Sequence, residues 1–415
     1  MRKNIKEKNI KKKDNIFKNL KKWYDKKIKK NKLKLNLFES LFVMVITFMI
    51  GLIIGGVVMY GKGPFGSDKS FNQFIATYNE INDFYYKDVD SEKLLEAGIK
   101  GMVSYLGDPY STYMSVETAN EFNEEVEGVY HGIGAEITLK EDGSVHIGKV
   151  FDDSPAYKAG LKTDDILIKV NDEDIKGLSL NAIADKVKGD VGTNVKITII
   201  RDNEEKEITL TRDNVDTISV TGELIERDEK KIGYLNVSIF AANTSKQFET
   251  ELKKLEDKKI DSLIIDLRNN QGGYLDSVTD IISLFIKKGL PIYELKIKDD
   301  IEIIYDKTDE ERKYKIVVLV NSISASASEV LSGALQETYK ATIMGTKTFG
   351  KGKVQKVYAL PSGALVKYTY QEWLTPLGNY IDGKGITPDI EVKYIINDNG
   401  IDNQKEEAIK YLLNQ

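Results

Sequence analysis

The chain has 415 residues, of which 41% are apolar and 30% charged, a composition typical of a globular protein with two or three domains. It contains no cysteine, which excludes thiol nucleophiles and cysteine-ligated zinc. Its two histidines, His131 and His146, lie far upstream, so a Ser-His-Asp triad would need one of them to cross from another domain, and no HExxH metal motif is present.

The first 36 residues form a basic arm with sixteen Lys or Arg and three Asp or Glu, although the net charge of the whole chain is -5. Twenty uncharged residues follow at Leu41 to Tyr60, enough to cross a hydrocarbon core of about 30 Å as a helix. Basic residues concentrate on the cytoplasmic side of a membrane span. The pattern therefore predicts a cytoplasmic arm (1–36), a single-pass transmembrane anchor (37–60) and an extracytoplasmic remainder.

A cleaved signal peptide is the nearest alternative to an anchor. The apolar run is long for a signal peptide, and no small-x-small cleavage site follows it directly. A nucleic-acid role for the basic arm is disfavoured by the adjoining anchor. We therefore expect the cell membrane as a partner and no nucleic acid.

After a linker at 61–69, apolar residues recur at helical spacing and predict an N-terminal helical region at 70–127. Ser115, followed by Glu117 and Thr118, indicates a further helix start near its end. The residues with the helical spacing are Phe71, Phe74, Ile75, Tyr78, Ile81, Leu94, Leu95, Ile99 and Met102.

Residues 128–213 change to short strands and resemble a PDZ domain. The resemblance rests on the loop Gly132-Ile133-Gly134-Ala135, the run from Ser154 to Leu161, and Asp165-Ile166-Leu167. It implies that backbone N–H groups of the loop hold the carboxylate of an extended peptide. The expected partners are thus protein substrates with free apolar C-termini, and His131 and His146 are expected on the surface of the module.

An α/β pattern occupies residues 214–395, and within it a buried strand, a small-residue loop and a helix occur twice in succession. The first unit has its strand at Leu263 to Leu267 and its loop at Arg268 to Gly273. The second has its strand at Ile316 to Val320 and its loop at Asn321 to Ser326. Because functional groups collect outside the carboxyl ends of such strands, we expect the two loops to face each other across one site.

A lysine follows the second loop at Gly350-Lys351-Gly352. A serine nucleophile requires a base, and a lysine can act as one when burial depresses its pKa from about 10.4. Gln355 can hold the amine by hydrogen bonding without adding charge. The helix after Ser326 presents a partial positive charge to an oxyanion.

These motifs closely resemble the carboxy-terminal processing (tail-specific) protease family, peptidase family S41, over about residues 70–413. The match is far more specific than a lone serine-rich loop. The matching segments are Asp108 to Tyr113, Ser324 to Glu329, Gly333 to Gln336, Thr348 to Gly352, Val354-Gln355 and Gly385 to Ile390.

The resemblance implies a role for each matching residue. Ser326 is the nucleophile, Lys351 its base, and Gln355 the residue that orients the lysine. The amide of Ala327 and one from Gly272 or Gly273 form the oxyanion hole. Ser324 and Ser328 are interpreted as helix caps.

Two positions depart from the family pattern. Gln271 stands where the family usually has proline, which leaves the glycine loop less rigid. Lys188-Gly189 stands where the family commonly has Arg-Gly, and in relatives that arginine can couple peptide binding to the active site. Lys188 keeps the charge but not the bidentate fork, so the coupling is an open question.

The sequence thus predicts a multidomain α+β protein with a transmembrane helix, a helical segment, a PDZ-like domain (128–213) and an α/β protease core (214–395) of the ClpP/crotonase type. The predicted function is a membrane-anchored serine endopeptidase that cleaves extracytoplasmic proteins near their C-termini, without metal or cofactor. The alternative is a catalytically idle, PDZ-bearing anchor or chaperone. The C-terminal helix (396–415) and the region 70–127 either dock on each other within one chain or also form a homodimer interface.

Overall fold

The computed structural model describes residues 37–62, 69–395 and 400–415, together with Lys18 and Lys22. Apart from those two lysines, the predicted basic arm lies outside the described residues, as do residues 63–68 of the predicted linker. The chain divides into two compact units, Met1–Ala97 and Gly98–Gln415.

The first unit is helical. Helix α1 spans Leu37–Lys62, helix α2 spans Lys69–Phe84, and helix α3 begins at Ser91 and ends at Ser104 in the second unit. The described side chains of α1, those of residue 38 and residues 41–52, are all exposed. Among the residues that the structure describes, no helix meets the length and hydropathy required to span a membrane.

A six-stranded sheet and a two-stranded sheet form the predicted PDZ-like part, which follows helix α4 (Val116–Glu127). Its main sheet is antiparallel in the order β3-β4-β5-β7-β8, with β6 paired to β5, while β2 pairs with β9. The structure has short strands in residues 128–213, as predicted, among them β4 at Val145–Val150 and β5 at Ile166–Val170. Strand β1 (Thr112–Met114) belongs to the second sheet described below, and α4 (Val116–Glu127) comes before the PDZ-like part. The elements of that part are β2 (Val129–Gly132), β3 (Ala135–Leu139), β4 (Val145–Val150), α5 (Pro155–Lys158), β5 (Ile166–Val170), β6 (Glu173–Asp174), α6 (Leu180–Val187), β7 (Asn194–Arg201), β8 (Glu204–Thr211) and β9 (Asp213–Asp216).

The remaining elements form two sheets and the helices around them. They are β10 (Val220–Arg227), β11 (Lys230–Val237), α7 (Thr244–Glu256), β12 (Ser262–Asp266), α8 (Leu275–Ser283), β13 (Pro291–Ile297), β14 (Asp300–Tyr305), β15 (Lys315–Val320), α9 (Ala327–Ala334), a π-helical turn (Leu335–Tyr339), β16 (Thr342–Gly345), β17 (Lys353–Ala359), β18 (Leu365–Leu374), β19 (Ile390–Glu391) and α10 (Asn403–Leu413).

The central sheet has the order β10-β11-β12-β15-β16-β19 and is parallel from β11 onward. Successive residues of a strand point to opposite faces, and in β15 both faces are buried. Val318 packs in the core cluster with α7, α8 and α9, whereas Val317 packs in the cluster with α10. Burial on both faces is why this strand reads as an unbroken apolar run.

The second sheet, in the order β1-β18-β13-β14 with β17 paired to β18, did not emerge from the sequence. Its strands are only partly buried, and β17 carries exposed residues such as Lys356 and Tyr358. Polar and apolar residues therefore mix along these strands, and the apolar pattern is weak. Strand β17 of this sheet begins directly after the Gly350-Lys351-Gly352 turn.

The C-terminal helix α10 docks on the central sheet, which corrects the interpretation that its apolar residues pack on the region 70–127. Ala408, Ile409 and Leu412 are buried against that sheet. The Arg268 guanidinium donates to Asp402 at 2.6 and 2.9 Å, and Asp402 is the N-cap of α10. The helix thus covers an apolar sheet face that the sequence left without a named partner.

Candidate active site

Ser326 lies between strand β15 and helix α9, where the backbone turns sharply. Its φ of 53° and ψ of -114° are unusual for a residue with a side chain. Such a conformation costs on the order of 1–3 kcal/mol and persists only where surrounding contacts impose it. Ser326 thereby stands at the N-terminus of α9, in the position predicted for the nucleophile.

The loop with the paired glycines lies directly against Ser326, as predicted for the two strand ends. Gly272 has a φ of 103°, and a Cβ there would lie 2.7 Å from Ala325 O and 2.9 Å from Ala327 N. Only glycine fits this close approach. The N–H of Gly272 donates to Asn270 Oδ1 at 2.8 Å.

Asn270, fully buried, joins the two loops, and sequence reasoning gave it no role. Its side-chain Nδ2 donates to Val237 O at 2.9 Å, and its backbone carbonyl oxygen accepts from Ala325 N at 3.1 Å and from Ser328 Oγ at 2.9 Å. Ser324 Oγ likewise donates to Leu267 O at 2.8 Å. The interpretation of Ser324 and Ser328 as helix caps is therefore wrong, because both hydroxyls bind the neighbouring loop instead.

The carboxylate of Glu329 binds the backbone of Ser326 and of Lys351 at once. Its Oε2 accepts from Ser326 N and from Lys351 N, both at 2.8 Å. Its Oε1 accepts from Thr348 Oγ1 and Gly350 N, both at 2.6 Å. Glu329 is fully buried, so these four donors replace the water that a carboxylate otherwise requires.

Glu329 was not singled out from the sequence, although a signal was present. A serine followed three residues later by glutamate at a helix start is a capping-box pattern. In this pattern the glutamate side chain accepts from the backbone N–H of the cap, as Glu329 does from Ser326. The additional contacts with Thr348, Gly350 and Lys351 depend on tertiary structure.

Lys351 lies on a loop that the chain holds tightly. Its carbonyl accepts from Trp373 Nε1 at 2.9 Å, and its Nζ lies 4.9 Å from the centroid of the Tyr110 ring. Burial lowers the pKa of Lys351, and the charge of Lys367 lowers it further, while Asp108 and Glu329 oppose the shift. Among the residues that the structure describes, no hydrogen bond joins Lys351 Nζ to Ser326 Oγ.

Gln355 lies on β17, opposite Thr369 of β18. Its Nε2 is buried and has no hydrogen-bond partner among the described residues. A buried amide that lacks a partner is costly. The role of Gln355 as the residue that orients Lys351 stays a prediction.

The predicted PDZ residues form a separate groove. Gly132, Ile133, Gly134 and Ala135 line an apolar cavity of about 140 Å³ at whose edge Lys188 also lies. Lys188 Nζ lies 3.4 Å from Glu124 Oε2 on α4, which makes a salt bridge between the groove and that helix. His131 is exposed, and His146 contacts Ser144 Oγ at 2.8 Å, so neither histidine lies with Ser326.

The described geometry defines a class of protein: a serine-type hydrolase in which one buried carboxylate binds the backbone of a loop serine and of a partly buried lysine, carried on an α/β core with a PDZ-like part. Family models match in the same places. Residues 231–392 match peptidase family S41, residues 146–201 match the PDZ domain, and residues 61–118 match the N-terminal domain of the activating protease CtpB.

Similar proteins carry the same assignment. A probable CtpA-like serine protease of Staphylococcus epidermidis is 37% identical over 356 residues, which cover 84% of this chain and 71% of that protein. One of Staphylococcus haemolyticus is 38% identical over 371 residues, with 88% and 74% covered. The chain belongs to peptidase family S41 and is a serine protease.

Among solved structures, a photosystem II D1 C-terminal processing protease is similar to the chain. It shares 26% sequence identity and has a TM-score of 0.47, with 80% of this chain and 91% of that chain covered.

Proposed function

We propose that the protein is a C-terminal processing endopeptidase in which Ser326 is the nucleophile and Lys351 its general base. The observation that carries the proposal is that a single oxygen of the Glu329 carboxylate, Oε2, accepts from the backbone N–H of both residues. The depressed pKa of Lys351 supports it, because a base must be neutral to accept a proton. The intact constellation disfavours the alternative of an idle anchor or chaperone.

In the proposed reaction, Ser326 Oγ attacks the scissile carbonyl carbon while its proton passes to Lys351 Nζ. The tetrahedral intermediate carries an oxyanion. As it collapses, the lysine ammonium donates the proton to the leaving amine, and an acyl-enzyme remains on Ser326. Water, deprotonated by the again neutral Lys351, then hydrolyses the ester.

The oxyanion hole in this proposal consists of the amides of Ala327 and Gly273. Ala327 N lies at the N-terminus of α9, where the helix dipole favours negative charge. Gly272 N already donates to Asn270 Oδ1, so Gly273 is the better candidate of the two glycines named from the sequence.

The described conformation resembles a resting state, since Lys351 Nζ lies over the Tyr110 ring and Gln355 Nε2 has no partner among the described residues. We infer that catalysis moves the amine toward Ser326 and into contact with Gln355. The salt bridge between Lys188 and Glu124 connects the PDZ groove to α4 and offers a route by which a bound tail favours that movement. Comparing peptide-stimulated cleavage by Lys188→Met and Lys188→Arg chains tests this route.

The rate of cleavage should rise with pH along a single limb of the pH profile, and that limb should reflect the deprotonation of the Lys351 amine. Because burial lowers the pKa of this lysine, the limb should lie below the ordinary lysine value of about 10.4. The measurement is kcat/KM between pH 5 and 10 for a peptide without ionisable side chains. His131→Gln and His146→Gln are the controls, and a limb that moves in either variant would contradict the lysine assignment.

A free carboxylate on the substrate tail should increase its affinity for the PDZ groove. Amidation removes a charged acceptor from the amides of Gly132 to Ala135, so binding should weaken roughly tenfold or more. Fluorescence anisotropy with the Ser326→Ala chain measures binding without cleavage. An aspartate added to the substrate tail is expected to weaken binding as well, since the groove is apolar. Equal affinity of free and amidated tails would remove carboxylate capture from the proposal.

We further propose that residues 37–60 anchor the protease domain on the extracytoplasmic side of the cell membrane. The uncharged run that follows a basic arm supports this, and alkaline extraction of membranes tests it.

A homodimer is proposed from the exposed apolar side chains near the end of α2, where Phe84 is 75% and Tyr86 76% exposed. Sedimentation of residues 69–415 tests this, and a monomer across the micromolar range would contradict it.

A further inference from the structure

The PDZ-like part joins the protease core through two connections, and one short segment of the core binds both. The first connection is Gly128, between helix α4 and strand β2, and the second is residues 217–219, between β9 and β10. The segment that binds them, residues 240–243, lies between β11 and α7. Ala242 N donates to Val126 O at 2.8 Å, so the 240–243 segment contacts the end of α4 through its backbone.

Asn243, the last residue of the 240–243 segment, binds both connections with one side chain. Its Nδ2 donates to Gly128 O at 2.8 Å and to Asp216 Oδ1 at 3.2 Å. Thr217 N donates to the same Gly128 oxygen at 2.8 Å, so the two connections also meet there. The contact is close, because a Cβ at Gly128 would lie 2.3 Å from Asn243 Oδ1. The amide of Asn243 thus fastens the PDZ-like part to the core.

The stability of helix α7 does not explain this placement of Asn243. The residue stands at the N-cap position of α7, where asparagine usually accepts from a backbone N–H of the first turn. Here the side chain makes no such bond. Its Oδ1 is buried and has no hydrogen-bond partner among the described residues. An uncapped helix start and a buried acceptor without a partner both lower stability, so the side chain serves the connections rather than the helix.

The opposite end of the 240–243 segment binds the glycine loop of the candidate active site. Phe240 N donates to Gly272 O at 3.1 Å, and Tyr274 N donates to Phe240 O at 2.6 Å. Phe240 and Gly273 are paired as an isolated parallel β-bridge. Because backbone hydrogen bonds hold Phe240 on both sides of Gly273, a shift of Phe240 moves the amide of Gly273 with it.

The first connection also leads to the tail groove. Lys188 lies at the edge of the groove, and its Nζ is 3.4 Å from Glu124 Oε2 on α4. Gly128 N donates to Glu124 O at 3.0 Å and caps that helix. An unbroken series of contacts thus runs from the groove through the end of α4 to Asn243, and through the 240–243 segment to the glycine loop.

We propose that Asn243 is a positioning residue that couples the PDZ-like part to the oxyanion hole. By fastening both connections to the 240–243 segment, it makes the position of the Gly273 amide depend on whether a tail fills the groove. The inference rests on the proposed function, namely tail capture by the groove and the oxyanion role of Gly273. A bound tail then raises the population of the arrangement in which this amide faces the oxygen of the scissile carbonyl.

The test is cleavage of a short peptide with an amidated C-terminus by the full chain, with and without a second peptide that ends in a free apolar tail. In the wild-type chain the tail peptide should raise kcat about fivefold or more, the lower end of typical coupling between sites. Asn243→Asp keeps the size of the side chain and its capacity to cap a helix, but it cannot donate to Gly128 O and it repels Asp216. We expect stimulation below about twofold in this variant. The Kd of the tail, measured by fluorescence anisotropy, should not rise, because the groove is unchanged.

Asn214→Asp is the matched control. It adds the same charge to an exposed residue of β9, two positions before Asp216, and should keep the wild-type stimulation. If Asn243→Asp does not fold, as judged by its thermal transition, Asn243→Ser replaces it. Serine also caps a helix, but it offers one donor hydrogen where the amide offers two.

Three outcomes would overturn the inference: no stimulation of the wild-type chain, wild-type stimulation of a folded Asn243→Asp chain, or an equal fall of kcat with and without the tail peptide. The last would indicate a purely structural role. The proposed function fails on other readouts. Wild-type cleavage by Lys351→Ala would overturn the assignment of the base, and equal affinity of free and amidated tails would overturn tail capture. If both assignments hold and Asn243→Asp is still stimulated, only the coupling role of Asn243 is overturned.

Discussion

Replacing Ser326 or Lys351 by alanine is expected to abolish cleavage while the fold survives. Loss of a nucleophile or its base typically costs on the order of 10⁴-fold or more in kcat. Alanine keeps the Cβ of Ser326, so the strained backbone and the Glu329 contact with Ser326 N are preserved. The measurement is turnover of a protein substrate with a free apolar tail, combined with circular dichroism and the thermal midpoint.

Two neighbouring residues provide matched controls for that experiment. Ser322 lies in the same loop as Ser326, and Lys347 lies a few residues before Lys351, and both are exposed. Ser322→Ala and Lys347→Ala should cleave at close to the wild-type rate. Turnover retained in a folded Ser326→Ala or Lys351→Ala chain would contradict the assignment of Ser326 and Lys351 as nucleophile and base.

Glu329→Gln should reduce both activity and stability, although the substitution changes the size of the side chain very little. An amide offers one accepting oxygen where the carboxylate offers two, so its NH₂ group must face backbone donors that then have no acceptor. If the NH₂ faces Ser326 N and Lys351 N, two buried donors lose their acceptor. Each unsatisfied donor costs about 1–3 kcal/mol.

The alternative orientation of the amide leaves Gly350 N without its acceptor, while the Thr348 hydroxyl can rotate. Either way one loop of the dyad shifts, and a misplacement of about 1 Å can lower kcat roughly 100-fold. Stopped-flow cleavage and chemical denaturation measure the two effects. Glu256→Gln is the control, because Glu256 accepts from Arg312 and Tyr314, far from the catalytic loops in sequence. A Glu329→Gln chain with wild-type kcat would contradict the role assigned to this carboxylate.

Much of the core was predictable because the signals are local. Apolar runs such as Ile316 to Val320 identify strands buried on both faces, and their observed bounds differ from the predicted ones by a single residue. Ser115 marks its helix start because a side-chain hydroxyl satisfies a backbone N–H three residues away. The two strand-end loops were expected to meet, and Gly272 indeed lies against Ser326.

The contacts that link distant segments were not predictable in this way. Glu329 joins a helix to a loop about twenty residues later, and Lys367 meets α4 across a sheet whose strands carry a weak apolar pattern. The docking of α10 depends on an apolar sheet face that exists only once β11, β12, β15 and β16 have assembled.

The sequence by itself determined the family, the nucleophile and base as candidates, and the order of the parts, because these depend on residue type and spacing along the chain. Only the tertiary structure decided which carboxylate binds the backbone of Ser326 and Lys351 and which ring lies next to the lysine amine. The physical reason is that hydrogen bonds and charge interactions act over a few ångströms in space, whatever the separation of the residues in the sequence.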